Sequence, residues 1–152
     1  VPKVFTLIDK HFGWYPEQVN LDMGGGKYDT ATKFLEKRLV TNLIYDPYNR
    51  TMEHNQEVIY QLKKRGGADT ATISNVLNVV ETTQAMLDIL GFVYVSLRDG
   101  GKCHVTCYAA KQAGVTKKDC FQQGKPLVWY EDVIRQIFGS VYRKHGMLIA
   151  VK

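Results

Sequence analysis

Cysteine is scarce, with three residues, Cys103, Cys107 and Cys120, in a chain of 152. An odd, small count gives no disulfide framework, and no Cys-x-x-Cys pair or Cys/His cluster supplies a metal-ligand spacing. The thiols are read as reduced and no metal is expected. Long hydrophobic runs are also missing, because none approaches the roughly 20 apolar residues that cross a bilayer. The opening VPKVFTLIDKHFGWY lacks the basic, apolar, small-residue order of a signal peptide. A cytoplasmic protein without a membrane partner is the expectation. No repeat, low-complexity tract or linker interrupts the sequence, so residues 1–152 read as a single domain.

What is present is ordinary globular material. Hydrophobic residues make up 45% and charged residues 23%, values that exclude a disordered scaffold. The net charge of +5 is unevenly placed: residues 71–152 carry ten Lys/Arg against six Asp/Glu, while residues 1–70 carry ten against nine. Arg98, Lys102, Lys111, Lys117, Lys118 and Lys125 fall in one stretch with only Asp99 and Asp119. That stretch reads as a solvated loop or as an attractor for an anionic acceptor.

Strand-like and helical patterns alternate. Val4, Phe5, Ile8 and Phe12 give a helix over 2–13, expected to pack over a sheet edge. Strands are read at 19–23, 42–45, 69–74 and 103–108. Helices are read from Ala31 to Leu39, over 51–65, from Met86 to Leu97 and from Tyr130 to Phe138. Val141–Arg143 and Met147–Val151 flank Lys144-His145-Gly146 as a hairpin. The order predicts an α/β three-layer sandwich whose mostly parallel sheet closes with an antiparallel hairpin.

Ligands of such sheets bind beyond the carboxyl ends of the strands. There the sequence places Asp22-Met23-Gly24-Gly25-Gly26, where glycine lets the backbone bend and approach a ligand, or simply makes a tight turn. Asp46 closes the next strand. Its carboxylate suits two ribose hydroxyls, and Asp46-Pro47-Tyr48-Asn49 is equally good turn chemistry. Asn75 and Asn78 follow the third strand; Asn75 can orient a polar ligand, and Asn78 is read as a cap of the following helix.

These residues resemble the class I S-adenosylmethionine-dependent methyltransferases. The likeness rests on D-x-G-G-G, an acidic residue closing the second strand, ADTATISNVLNVV, and LRDGG before a strand. GGGKYD, YDPYNR, EHNQ and NVLNV bring it nearest to small methyltransferase-like proteins of phages and mobile elements. The resemblance implies a Rossmann-like sheet and methyl transfer from S-adenosylmethionine to an unidentified acceptor. Asp22, Gly24, Gly25 and Gly26 would surround the methionine part of the cofactor, with Asp22 near its amino group. Asp46 would bind the ribose, Pro47, Tyr48 and Asn49 would lie beside ribose and adenine, and Asn75 would face the transferable methyl.

One departure is large. Only 22 residues separate Asp46 from Asp69, too few for the family's third strand and its crossovers, so that strand is expected to be missing. Gly66, Gly67 and Ala68 are the substitutes read for its adenine-holding loop. The second strand then becomes an edge, expected to be covered by helix 2–13 or by a second subunit in a homodimer. Two other readings compete. A non-catalytic S-adenosylmethionine- or nucleotide-binding module fits because no convincing histidine or glutamate base is visible. An NAD-dependent oxidoreductase would need glycine at position 29, where the chain has Asp29.

Overall fold

The computed structural model describes residues 1–109, 114–115 and 121–152. The expectations for Lys111, Lys117, Lys118, Asp119 and Cys120 lie outside the described residues. Strict alternation of side chains in the strands builds a two-faced sheet, because successive residues point to opposite faces. In β1 (Val19–Met23), Leu21 and Met23 face one side, while Asn20 and Asp22 face the other. The same alternation runs through β2 (Thr41–Tyr45), β3 (Ala68–Ser74) and β4 (Leu97–Thr106), where a register shift against β3 interrupts it before Lys102.

The apolar face joins Leu21, Leu43, Ile73, Val105 and Leu148 in the main core. Helices α3 (Met52–Arg65), α4 (Thr83–Ser96) and α5 (Glu131–Phe138) cover it. The polar face lies beneath α1 (Lys3–His11) and α2 (Thr30–Glu36), whose Val4, Phe5, Ile8 and Leu35 form a second cluster with Met147 and Ile149.

Strand order is β2-β1-β3-β4-β8-β7, where β7 is Ser140–Lys144 and β8 is Met147–Val151. The first four strands are parallel, and the closing hairpin is antiparallel. A separate two-residue pair, β5 (Gly114–Val115) with β6 (Phe121–Gln122), lies beyond β4. Residues 50–67 contain α3 and no strand, so α3 returns the chain directly to β3 beside β1. The strand expected to be missing is absent, and β2 is an edge.

That edge is not covered by α1. The helix packs on the polar face over β3 and β4, because its apolar stripe meets Met147 and Ile149 there. Instead α3 supplies edge partners. The Asn55 amide accepts from the Asp46 backbone N–H and donates to the Asp46 carbonyl, both at 3.0 Å, imitating a neighbouring strand. His54 Nε2 donates to the Ile44 carbonyl at 2.7 Å. Backbone groups that a missing strand would have paired are thus met by side chains.

Two element boundaries also differ from expectation. Leu97 begins β4, paired with Ala68, rather than ending α4. The apolar run through Val93-Tyr94-Val95 hides the junction from periodicity. β4 ends at Thr106, so Cys107 lies past the strand, half-buried, whereas Cys103 is fully buried.

Candidate functional site

A cavity of ≈ 610 Å³ opens at the carboxyl ends of β1, β2 and β3. Gly24, Asp46, Pro47, Tyr48, Asn49 and Asn75 form one part of its wall. Val76, Val79, Val80 and Ile89 supply apolar surface, with the carboxylates Glu81 and Asp88 also lining it. Six of the nine residues expected around a cofactor therefore meet in one place. Asp22, Gly25 and Gly26 do not line the cavity, although Gly26 is hydrogen-bonded to Asp46 in its wall.

The glycine loop has steric reasons for its composition. A Cβ on Gly24, which has φ of +70°, would come within 2.7 Å of Val76 Cγ2. A Cβ on Gly25 would lie 2.6 Å from Asp22 Oδ2. The loop is tied down at both ends: the Gly24 N–H donates to the Tyr45 carbonyl at 2.8 Å, and the Gly26 N–H donates to Asp46 Oδ2 at 2.9 Å. Arg50 completes the clamp, donating to the carbonyls of Gly26 (2.8 Å) and Tyr28 (3.1 Å) and to Asp29 Oδ1 (2.8 Å).

Asp46 performs both roles that its position allows. Oδ1 accepts from the Tyr48 and Asn49 amides at 3.0 and 3.1 Å, which is the turn. Oδ2 faces the Gly26 amide and the Asn49 side chain, the latter at 3.0 Å. Burial acts to raise its pKa, but the donors from Asn49, Gly26 and Tyr48 outweigh it and hold the carboxyl below its ordinary value.

Asp22 is different. It is 2% exposed, and its two hydrogen bonds are long, from Asn42 Nδ2 at 3.2 Å and from Thr72 Oγ1 at 3.4 Å. Burial pushes its pKa up to about 6 despite those donors. Behind it a directed chain runs across the polar face: Thr70 Oγ1 donates to Asn20 Oδ1 at 2.8 Å. Asn20 Nδ2 then donates to Asn42 Oδ1 at 2.9 Å and to Thr72 Oγ1 at 3.0 Å. Asn42 Nδ2 also donates to Thr32 Oγ1 at 3.3 Å, and the remaining donors run toward Asp22, so the network offsets part of the cost of burying its charge.

Asn75 sits at the cavity with φ of +55°, and its backbone N–H donates to the Thr106 carbonyl at 2.9 Å. Asparagine tolerates this left-handed backbone better than most residues. Asn78 does not cap α4; Thr82 does, accepting from the Ala85 amide at 3.1 Å. Asn78 is instead buried, donating to Gln122 at 3.1 Å, while Gln123 donates to the Val80 carbonyl at 2.8 Å. The two glutamines thereby fasten the 121–124 segment beside the cavity.

Gly66, Gly67 and Ala68 lie at the opposite, amino end of β3 and take no part in the cavity. The basic stretch is also divided. Arg98 and Lys102 stand near the amino ends of the strands, and Lys125 lies over the Trp129 ring. Sequence reasoning missed Arg50 and Asn55. Arg50 was visible in YDPYNR, but its loop contacts arise only after folding. Among the described residues no three His, Cys, Asp or Glu side chains gather as a metal site, and no helix is long and apolar enough to cross a membrane.

No family model and no curated protein matches the chain by sequence. Solved structures do match. A Burkholderia thailandensis 1,6-didemethyltoxoflavin-N1-methyltransferase, bound to 1,6-didemethyltoxoflavin and S-adenosylhomocysteine, superposes with a TM-score of 0.69 at 15% identity, over 98% of this chain and 76% of its own. The chain has a methyltransferase fold. The pyocyanin biosynthetic protein PhzM gives 0.66 at 14% identity, over 98% of this chain and 54% of its own. A T. thermophilus 16S rRNA methyltransferase in complex with AdoMet and guanosine gives 0.61 at 13%, over 100% and 43%. The chain thus spans about half the length of the latter two. Within this methyltransferase fold, the cavity occupies the ligand-binding end of the sheet.

Proposed function

We propose that the domain binds S-adenosylmethionine in the carboxyl-end cavity and transfers its methyl group to an acceptor. The observation that carries this reading is the Gly26–Asp46 hydrogen bond, which joins the glycine loop to the second strand's acidic residue at the cavity. The cavity lies within the roughly 300–1,000 Å³ range of small-molecule sites. Buried Asp22, with no ion-pair partner among the described residues, favours a cation such as the cofactor's ammonium above the loop. Asp46 would accept from the ribose in place of Asn49. Val76, Val79 and Ile89 offer an apolar wall for adenine, and Glu81 or Asp88 an acceptor for its amino group.

When bound, S-adenosylmethionine would supply an activated methyl on a positively charged sulfur, with S-adenosylhomocysteine as the leaving group. The work left to this chain is orientation, which can supply much of the acceleration. Asn75, in the cavity wall, would align donor and acceptor. The motifs shared with phage and mobile-element methyltransferase-like proteins support the same reading without naming the acceptor, which an anionic character would suit through the lysine-rich 109–128 segment.

A non-catalytic binding module is the second reading. It is favoured by the absence of any histidine, lysine or cysteine among the described residues lining the cavity. Native mass spectrometry of the purified protein, then calorimetry with S-adenosylmethionine and with NAD, tests the cofactor. Release of S-adenosylhomocysteine with a panel of nucleobase, phenol and amine acceptors separates enzyme from module. Selective binding of NAD would overturn the S-adenosylmethionine assignment.

A further inference from the structure

A second cavity, of ≈ 350 Å³, lies at the amino ends of the strands, beneath the end of α1. Ile8, Phe12 and Ile149 give it an apolar side, and Gln18, Lys102 and His104 a polar one. The polar side differs from an ordinary surface cleft in having a buried histidine built into its wall. His104 is 4% exposed, and its Nδ1 lies 3.3 Å from the Ala71 carbonyl. A carbonyl only accepts, so Nδ1 carries the proton and Nε2 holds a lone pair. No described residue partners that Nε2. Burial lowers the His104 pKa to about 4, so the ring stays neutral at physiological pH.

The charges in the wall are unequal. Asp69 is saturated, accepting from the Val19 amide at 2.8 Å, from Arg65 at 2.7 Å and from Arg98 at 2.8 Å. Arg98 is thereby held in place, sharing the single charge of Asp69 with Arg65. Lys102 has no ion-pair partner among the described residues. The cavity therefore offers at Lys102 a cation free of any ion pair among the described residues, an acceptor at His104 and an apolar surface with an aromatic ring. Its complement is a small planar molecule with a carboxylate for Lys102, an O–H or N–H donor for His104, and a ring for Phe12.

We propose that this cavity is a second ligand site, taking small aromatic monocarboxylates that carry a hydrogen-bond donor. The site is separate from the carboxyl-end cavity: Thr70, Lys102 and His104 share no lining residue with Asp46 or Asn75. It stands whether or not the domain binds S-adenosylmethionine.

The test is calorimetry on the intact protein with 4-hydroxyphenylacetate, with phenylacetate as the analogue lacking the donor. Saturable one-to-one binding is expected, weaker by about tenfold for phenylacetate, one hydrogen bond's worth of affinity. Lys102→Met, an exposed substitution, should weaken 4-hydroxyphenylacetate by about tenfold or more and leave S-adenosylhomocysteine affinity unchanged. His104→Phe, if it folds, should abolish the preference for the hydroxyl; Lys102→Met decides if it does not. No saturable binding at millimolar probe would overturn the proposal, as would equal affinity for the two probes or binding indifferent to Lys102→Met.

Discussion

The Gly26 amide donates to Asp46 Oδ2 at 2.9 Å, so the glycine loop after the first strand and the acid closing the second are one unit. The same carboxylate anchors the turn through Tyr48 and Asn49. Asp46→Ala should therefore cost stability as well as ligand affinity. Loss of hydrogen bonds to a charged group, worth about 1.5–3 kcal/mol each, predicts a clear fall in Tm. A fall of tenfold to a hundredfold in S-adenosylmethionine affinity should accompany it. Thermal melts with calorimetry check both; an unchanged Tm would contradict the turn-anchoring geometry.

Asn49 Nδ2 is the donor on Asp46 that side-chain rotation can release. If ribose takes its place, Asn49→Ala frees an acceptor without harming the loop. S-adenosylhomocysteine should then bind as tightly as to wild type, or up to about threefold tighter. A loss of tenfold or more would show that Asn49 itself holds the ligand.

Asp22 carries the pH dependence. Its folded pKa, about 6, lies above the ordinary value of 3.8, so the folded state binds more protons between those limits. Its contribution to stability is full below the lower value and is lost as pH rises through about 6, a cost of about 3 kcal/mol above it. Asp22→Asn removes that cost and loses one weak hydrogen bond of about 1 kcal/mol. It should raise Tm at pH 7.5 and flatten the pH profile of stability, while weakening S-adenosylmethionine binding. A lower Tm at neutral pH would contradict the burial argument.

Edge protection by α3 gives a test of association. Asn55→Ala removes both bonds to the Asp46 backbone, and His54→Ala removes the bond to the Ile44 carbonyl. The double variant should self-associate at concentrations where wild type does not, as light scattering would show. Unchanged scattering would mean that this edge needs no side-chain partners.

Much of this fold was legible because strand and helix patterns did not conflict. The short run Val19–Met23 before its glycines and the β-branched Asp69–Ser74 marked strands, and the shortness of 46–69 marked the missing one. The destination of α1 was not legible: its apolar stripe fits either a sheet edge or a face, and only Met147 and Ile149 decide, from the far end of the chain. His54 and Asn55 looked like helix surface because the carbonyl and amide they meet belong to β2. Asn78 looked like a helix cap because its neighbours Gln122 and Gln123 lie over forty residues away in sequence. At the site, the glycines and Asp46 were readable from local chemistry, while Arg50 acts through backbone carbonyls that carry no residue signature.

The most direct measurement is a backbone amide NMR titration of the protein with S-adenosylmethionine. Saturable shifts should cluster at Gly24, Gly25, Gly26, Tyr48, Asn49, Asn75 and Val76, with Thr70, Lys102 and His104 unmoved. The absence of saturable shifts, or shifts clustered at the amino ends of the strands, would contradict the assignment of the carboxyl-end cavity as the cofactor site.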